Sequence, residues 1–179
     1  MAAAPDFLSL KEFEDRYIGQ KPNYEYWFGE AIQKSMPTSL HGFLQFILMT
    51  LISRAGWATA SEVRLKISRL AHPVPDVVAD RTRIEDPYPT TPLDLCVEII
   101  SPGDVLREVF VKAGHYLDWG IGTVWVIDGY RRTAYSMSLE QPAPVETRYS
   151  DSLVAGSGEH SLAIPLSEVF AELDKALSR

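Results

Sequence analysis

Apolar residues recur at three- and four-residue steps in several segments, which is the periodicity of an amphipathic helix. The clearest run begins at Ser39, a favourable N-cap residue, and ends before Gly56. Ser9 with Glu12 three residues later forms a capping-box pattern and predicts an earlier helix. Two further helices are expected, one over about 105–118 and one after Pro165 with Ser167 as its cap.

Strand patterns occupy most of the remaining chain. The aromatic segment from Tyr24 to Ile32 predicts an early hairpin, and the strict alternation from Glu62 to Arg69 predicts a strand with one apolar face. Further strands are expected in four runs: Asp76 to Ala79, Leu93 to Ile100, Thr123 to Ile127 and Thr133 to Ser138. Residues 80–92 are polar and proline-rich and predict a loop. The simplest account is one α/β domain over residues 1–179, with a central sheet flanked by helices.

Composition narrows the class of protein. Hydrophobic residues make up 46% of the 179 residues and charged residues 23%, which is typical of a globular domain. The longest apolar stretch, from Phe43 to Ile52, is too short to cross a bilayer, so we expect no membrane span. The formal net charge of -7 disfavours a general nucleic-acid binder but leaves a local basic patch open.

Cysteine usage and the first residues bear on the compartment. Cys96 is the sole cysteine, which excludes an internal disulfide and a cluster of thiolate metal ligands. The N-terminal residues lack a basic region followed by an apolar one, so we expect no signal peptide. Both observations favour a reducing, cytoplasmic location.

Two acids stand out because of their surroundings. Asp76 opens a short apolar strand after a proline, and Glu98 lies inside the apolar run that predicts a buried strand. A buried carboxylate needs a partner or a metal ion, and hard oxygen ligands suit Mg²⁺ or Mn²⁺. Two structural alternatives stay open: an ion pair of Glu98 with Arg64 or Lys66, and a simple turn at Asp76.

Lys112 lies in the predicted helix that follows the Glu98 strand. A short break after that strand returns the helix across the strand end, where a lysine can meet a carboxylate, a phosphate or an attacking water. The alternative is a solvated helix lysine. The four histidines, His41, His72, His115 and His160, show no metal-ligand spacing, and we interpret them as structural or exposed.

The order of these residues resembles a known family. The stretches PDVVAD (75–80), LDLCVEIISPGD (93–104) and KAGHYLDWGIGTVWVID (112–128) are similar to the Uma-type family assigned to restriction endonucleases, long catalogued as a domain of unknown function. Tyr24-Glu25 followed by Gly29-Glu30, and His41-Gly42, agree with the N-terminal part of its pattern. The resemblance covers about residues 8 to 175.

The resemblance implies a PD-(D/E)XK, restriction-endonuclease-like fold, with a central mixed β-sheet flanked by α-helices. It implies that Asp76 and Glu98 bind Mg²⁺ or Mn²⁺, with the carbonyl of Ile99 as a third ligand and Glu30 or Glu25 contributing from the hairpin. The superfamily's Glu-x-Lys motif would place lysine at position 100, where this chain has Ile100. The resemblance therefore assigns the lysine's role to Lys112, in the helix.

The sequence is compatible with three functions. The first is a magnesium-dependent DNA endonuclease, expected as a homodimer, with Arg64 and Lys66 as phosphate contacts unless they form a solvated strand edge. The second is a catalytically inactive nuclease-fold module that binds nucleic acid or a protein partner, favoured by the net charge and by Ile100. The third is a phosphodiesterase for small nucleotides, which would need no basic groove.

Overall fold

The computed structural model describes residues 7–178. This part of the chain contains four α-helices, eleven strands and one short 3-10 helix, Gly158–His160. The helices are α1 Leu10–Tyr17, α2 Ser39–Arg54, α3 Leu106–Asp118 and α4 Leu166–Leu177. The strands are β1 Tyr24–Trp27, β2 Glu30–Gln33, β3 Ala58–Ser61, β4 Ala71–His72, β5 Val77–Asp80, β6 Leu95–Ile99, β7 Thr123–Asp128, β8 Thr133–Ser138, β9 Val145–Thr147, β10 Ser152–Ala155 and β11 Leu162–Pro165.

A six-stranded sheet forms the centre, in the order β3-β5-β6-β7-β8-β9. All of its pairs are antiparallel except β6 with β7, which are parallel. A parallel pair requires a long crossover, and α3 supplies it between β6 and β7. This mixed sheet with flanking helices confirms the predicted fold class. A smaller sheet, β2-β1-β4, and the hairpin β10-β11 lie beside it.

The central sheet has a packed core on each face. On one face, Leu48 of α2 and Phe170 of α4 pack with Val97 of β6. On the other face, Tyr116 of α3 packs with Cys96 of β6. Every residue of β6 is buried, which explains its nearly unbroken apolar sequence.

The strand predicted from Glu62 to Arg69 is wrong. Extended pairing ends at Ser61, because Glu62 adopts a left-handed backbone conformation with φ of 56° that breaks the strand. The following residues form an irregular segment in which Leu65 donates to the carbonyl of Pro73 and Lys66 to that of Pro89. The alternation identified Leu65 as a core residue, which is fully buried, but Arg64 from the predicted polar side is buried as well.

Helix starts agree with the sequence to within a few residues. The capping box of Ser9 and Glu12 is confirmed. At α2 the cap is Thr38 rather than Ser39, since the Thr38 hydroxyl accepts from the amide of His41. At α4 the helix begins at Leu166, one residue before the predicted cap Ser167.

Among the described residues, no helix is both long and apolar enough to span a membrane. The expectation of no signal peptide concerns the first residues, and residues 1–6 lie outside the described part of the chain.

Candidate active site

Asp76 and Glu98 face each other across two adjacent strands. In the β5–β6 pair Val77 is opposite Val97, so one further step of the register sets Asp76 opposite Glu98. Side chains alternate along a strand, and Val78 and Cys96 pack in the core beside α3. Both carboxylates therefore belong to that same side of the sheet. Asp76 is 2% exposed and Glu98 6%, so each needs partners within the protein.

Lys112 reaches this pair from α3. Its Nζ lies 3.0 Å from Oε1 of Glu98 and 2.9 Å from Oε1 of Glu25. Tyr116, one helical turn later, donates its hydroxyl to Oε1 of Glu98 at 2.6 Å. The ion pair that the sequence left open between Glu98 and Arg64 or Lys66 is thus made by Lys112 instead, and Lys112 is not a solvated helix lysine.

A second lysine, Lys34, lies beside Asp76 and was not predicted as a site residue from the sequence. Its Nζ donates to Oδ1 of Asp76 at 2.7 Å and to the carbonyl of Val74 at 2.7 Å, and it pairs with Glu62 at 3.2 Å. The other oxygen of Asp76, Oδ2, accepts from the amide of Ile99 at 2.7 Å. Lys34 follows a four-residue strand with an irregular polar pattern, so its sequence context carries no signal of burial.

His41 and Glu62 complete the cluster around Asp76. Nε2 of His41 lies 3.4 Å from Oδ1 of Asp76, and its Nδ1 lies 3.2 Å from Oγ of Ser101. One ligand atom each from His41, Glu62 and Asp76 fall within 4.8 Å of one another. The sequence shows no metal-ligand spacing for His41, because helix α2 and strand β5 bring it beside residues that are far apart in sequence.

The backbone at Glu62 supports a special role for this residue. Its left-handed conformation is uncommon for a residue other than glycine and persists only where the surrounding structure enforces it. Here its amide donates to the carbonyl of Asp76, and its carboxylate also accepts from the side chain of Asn23 at 2.9 Å. The alternating sequence from Glu62 to Arg69 is typical of a strand and therefore gave no indication of the left-handed conformation at Glu62.

Burial and charge act against each other in the cluster. Burial raises the pKa of Glu98 to about 7, although the charge of Lys112 opposes the shift. For Asp76 the effect of burial is outweighed by Lys34 and by the hydrogen bond from His41, which hold the pKa of Asp76 well below its usual value. Burial would lower the pKa of Lys34, but Asp76 and Glu98 raise it to about 12.

The Glu25–Lys112 pair follows the same logic. Burial alone would raise the pKa of Glu25, yet the charges of Lys112 and Lys34 bring it below its usual value. Burial alone would lower the pKa of Lys112, but the neighbouring carboxylates of Glu25 and Glu98 have the larger effect and raise it. Glu25 thus stays ionised, as does Lys112.

The donor set fits a divalent cation. The cluster contains four carboxyl groups against two ammonium groups, which leaves one to two negative charges to be neutralised, depending on whether Glu98 is protonated. Its members are Glu25, Glu62, Asp76, Glu98, Lys34 and Lys112. Carboxylate oxygens suit Mg²⁺ and Mn²⁺, and an imidazole adds a donor that first-row transition ions accept. An ion bound at Oδ1 of Asp76 competes with the ammonium group of Lys34.

The remaining predicted site residues lie in different settings. Ile99 and Glu30 line the cavity above the cluster, Glu30 as an exposed residue and without contact to Asp76 or Glu98 among the contacts described. Glu25, named as the alternative to Glu30, is the hairpin acid that joins the cluster.

Arg64 and Lys66, the expected phosphate contacts, already have protein partners. The guanidinium of Arg64 is buried and donates to the carbonyls of His72 and Tyr24. Lys66 pairs with Glu14 at 2.6 Å. Both cations are engaged within the protein, and neither lines the cavity.

The cluster lies at the base of a cavity of about 920 Å³. Its walls come from the β1–β2 hairpin, the start of α2, the loop after β6 and helix α3. Trp27, Phe28 and His115 contribute aromatic rings to one wall. This volume is within the range of small-molecule sites.

Comparisons with known proteins agree with the fold and with the resemblance. The model of the Uma2 family, described as "Putative restriction endonuclease", matches residues 10–167. The crystal structure of "a putative nuclease belonging to DUF820" from Anabaena variabilis shares the fold, with a TM-score of 0.74 and 22% identity over 93% of this chain and 99% of that chain. No curated protein matches the chain. Since the family match spans most of its length, this chain belongs to the Uma2 family.

Proposed function

We propose that this chain is a divalent-metal-dependent nuclease that hydrolyses phosphodiester bonds in DNA. The observation that carries the proposal is the buried cluster in which Asp76 and Glu98 lie on adjacent strands with Lys112 beside them. The membership of a family described as restriction endonucleases supports the same reaction class. A structural ion pair alone would not require four carboxylates with only two lysines at the base of an open cavity.

The proposed roles follow from the contacts of each residue. Asp76 and Glu98 hold Mg²⁺ or Mn²⁺, with the carbonyl of Ile99 as a third ligand and with His41 or Glu62 available on the side of Asp76. Such an ion, when bound, acts as a Lewis acid and lowers the pKa of bound water.

Lys112 has an electrostatic role in this proposal. The raised pKa keeps Lys112 charged, and its ammonium group beside Glu98 would stabilise the negative charge that develops on a phosphate bound at the cluster. Glu25 accepts from Lys112, from the amide of Val74 and from the indole of Trp27, and so fixes the position of the ammonium group. Glu30 remains a proposed contributor from the cavity wall. The expected homodimer and the cytoplasmic location stay predictions.

A catalytically inactive binding module is the second candidate. It is favoured by Ile100, which stands where the superfamily motif has lysine, and by the engagement of both oxygens of Asp76 with Lys34 and Ile99. In this case the cluster is a closed network of ion pairs that stabilises the sheet edge.

Cleavage of supercoiled plasmid in Mg²⁺ or Mn²⁺ separates the two candidates. Wild type and Asp80→Asn are expected to nick the plasmid, whereas Asp76→Asn and Glu98→Gln are expected to lose the activity. Asp80 is the matched control, since it lies at the opposite end of the same strand and accepts from Thr82. Equal nicking by all four proteins would sink the nuclease proposal. No nicking by wild type, together with retained DNA binding, would favour the inactive module.

A further inference from the structure

The aromatic wall of the cavity is ordered before any ligand binds. The rings of Phe28 and His115 have centroids 5.2 Å apart, and those of Trp27 and His115 5.7 Å apart. Trp119 stacks on His115 at 6.1 Å with an interplanar angle of 17°. Phe28 nevertheless remains 47% exposed, so one planar apolar face is open to the cavity.

Phe28 holds this position in a strained turn. It has φ of 50° and is followed by Gly29 with φ of 98°, in a two-residue hairpin connection that normally selects Asn-Gly. A bulky residue rarely adopts the left-handed region, and such backbone strain concentrates at binding sites. The turn conformation therefore points to a role for the ring beyond forming the hairpin.

The wall is connected to the carboxylate cluster. The indole of Trp27 donates to Oε2 of Glu25 at 2.9 Å, and Oε1 of the same carboxylate accepts from Lys112 at 2.9 Å. His115 lies three residues after Lys112 on the same helix, α3. A flat ligand group against the wall is consequently held beside the residues to which we assign the chemistry.

The charge around the opening disfavours a DNA duplex. Carboxylates outnumber lysines among the lining residues, and Glu30, Asp104 and Glu108 are exposed there. A duplex carries dense negative charge, and proteins bind it through clusters of Lys and Arg. A short or single-stranded ligand presents fewer phosphates and offers the faces of its bases for stacking, which aromatic side chains bind without sequence preference.

We propose that the cavity binds an unpaired nucleobase against Phe28 and His115. The substrate is then single-stranded nucleic acid, including the transiently unpaired segments of a supercoiled plasmid, or a small dinucleotide, rather than a fully paired linear duplex. The inference rests on the proposed function, because it places the phosphodiester beside the Asp76–Glu98 cluster. Both substrate sources share the same chemistry: an unstacked base with its phosphate toward the acids and lysines.

Binding is measured by fluorescence anisotropy with Ca²⁺ in place of the catalytic ion, using a labelled 12-nucleotide single strand and the same sequence as a duplex. We expect the single strand to bind at least about tenfold more tightly, as one stacking contact provides. Phe28→Ala and His115→Ala should each weaken single-strand binding about tenfold, while Phe28→Tyr should preserve it. Phe46→Ala, which removes a 71% exposed phenylalanine of α2 that does not line the cavity, is the control without effect.

Competition with unlabelled thymidine dinucleotide distinguishes the two sources. Displacement of the strand would identify a small dinucleotide as sufficient, and no displacement would identify a longer strand; either result supports an unpaired base. Equal affinity for duplex and single strand, or unchanged binding by both Phe28→Ala and His115→Ala, would overturn the inference. Plasmid nicking by wild type would still stand in that case, so this failure is distinguishable from a failure of the proposed function.

Discussion

Lys34 places a permanent positive charge 2.7 Å from the carboxylate that we assign as the principal metal ligand. An ammonium group and a divalent ion about 4 Å apart repel by about 8 kcal/mol at the effective dielectric constant of a protein surface. Lys34 therefore stabilises the buried Asp76 carboxylate when no ion is bound and opposes the binding of an ion. The same side chain sets both the stability of the cluster and its affinity for metal.

Replacing Lys34 should strengthen metal binding. We expect Lys34→Gln to lower the dissociation constant for Mn²⁺ about tenfold, equivalent to about 1.4 kcal/mol, because the competing ammonium group is gone. Isothermal titration calorimetry measures this directly. Lys21→Gln is the matched control, since Lys21 is an exposed lysine that lines the same cavity. Unchanged or weaker binding by Lys34→Gln would show that the ion does not bind beside Asp76.

For single residues, the sequence predicts the two buried acids of the site more readily than the side chains that contact them. Asp76 and Glu98 stand out because each interrupts or opens an apolar run, where an uncompensated charge is costly. Lys34 and Glu62 lie in polar stretches that are typical of solvated chain, and His41 lies in the first turn of α2 without ligand spacing to any neighbour. Only the packing of the hairpin, α2 and β5 brings these three side chains to Asp76.

Helix α3 organises the site at the scale of elements. It is the crossover between the parallel strands β6 and β7, so its inner face must cross the sheet on the side of Glu98. Lys112 and Tyr116 are one turn apart on that face, and both contact Oε1 of Glu98. The helix thus supplies two hydrogen-bond donors to the Glu98 carboxyl group. Both favour its ionised form, which burial disfavours.

Removing one of these donors should destabilise the fold. We expect Tyr116→Phe to lower the free energy of unfolding by about 2 kcal/mol, because the hydroxyl donates to a buried carboxylate. Tyr26→Phe should cost only about 1 kcal/mol, since that hydroxyl donates to a neutral carbonyl, of Leu8, at 3.0 Å. Urea unfolding monitored by circular dichroism gives both values. A smaller loss for Tyr116→Phe than for Tyr26→Phe would contradict the assigned role of the hydroxyl.

The elements themselves were largely predictable, for local reasons. Helices α2 and α3 carry a clear apolar periodicity, and β6 and β7 have the mostly apolar sequence of strands covered on both faces. The alternation from Glu62 to Arg69 wrongly predicted a strand. This segment is irregular, and the amides of Leu65 and Lys66 donate to the distant carbonyls of Pro73 and Pro89. Such bonds depend on distant residues and leave no local pattern.

The whole molecule carries a net charge of -7, and the opening of its cavity is acidic. Arg64 and Lys66, which the sequence offered as a basic patch, are engaged within the protein. We therefore expect no extended basic surface for DNA around the cavity. We expect affinity to come instead from the proposed metal site and from stacking in the cavity, both of which depend less on salt than a basic interface does.

The salt dependence of binding tests this view. We expect the slope of log K against log salt for a single strand to be no steeper than about -2, since each neutralised phosphate contributes about -0.7. Anisotropy titrations between low and moderate salt, at constant Ca²⁺, provide the slope. A slope of about -5 or steeper would indicate an extended basic interface and contradict the acidic-cavity account.

The central claim is that Asp76 and Glu98 share a divalent ion at the base of the cavity. A crystal grown with Mn²⁺ and measured at a wavelength that excites its anomalous scattering tests it most directly, with an EDTA-washed crystal as the control. Our account predicts an anomalous peak within about 2.5 Å of an oxygen of each carboxylate, with Lys34 turned away from Asp76. A cavity without a peak, or a peak that touches neither carboxylate, would contradict it.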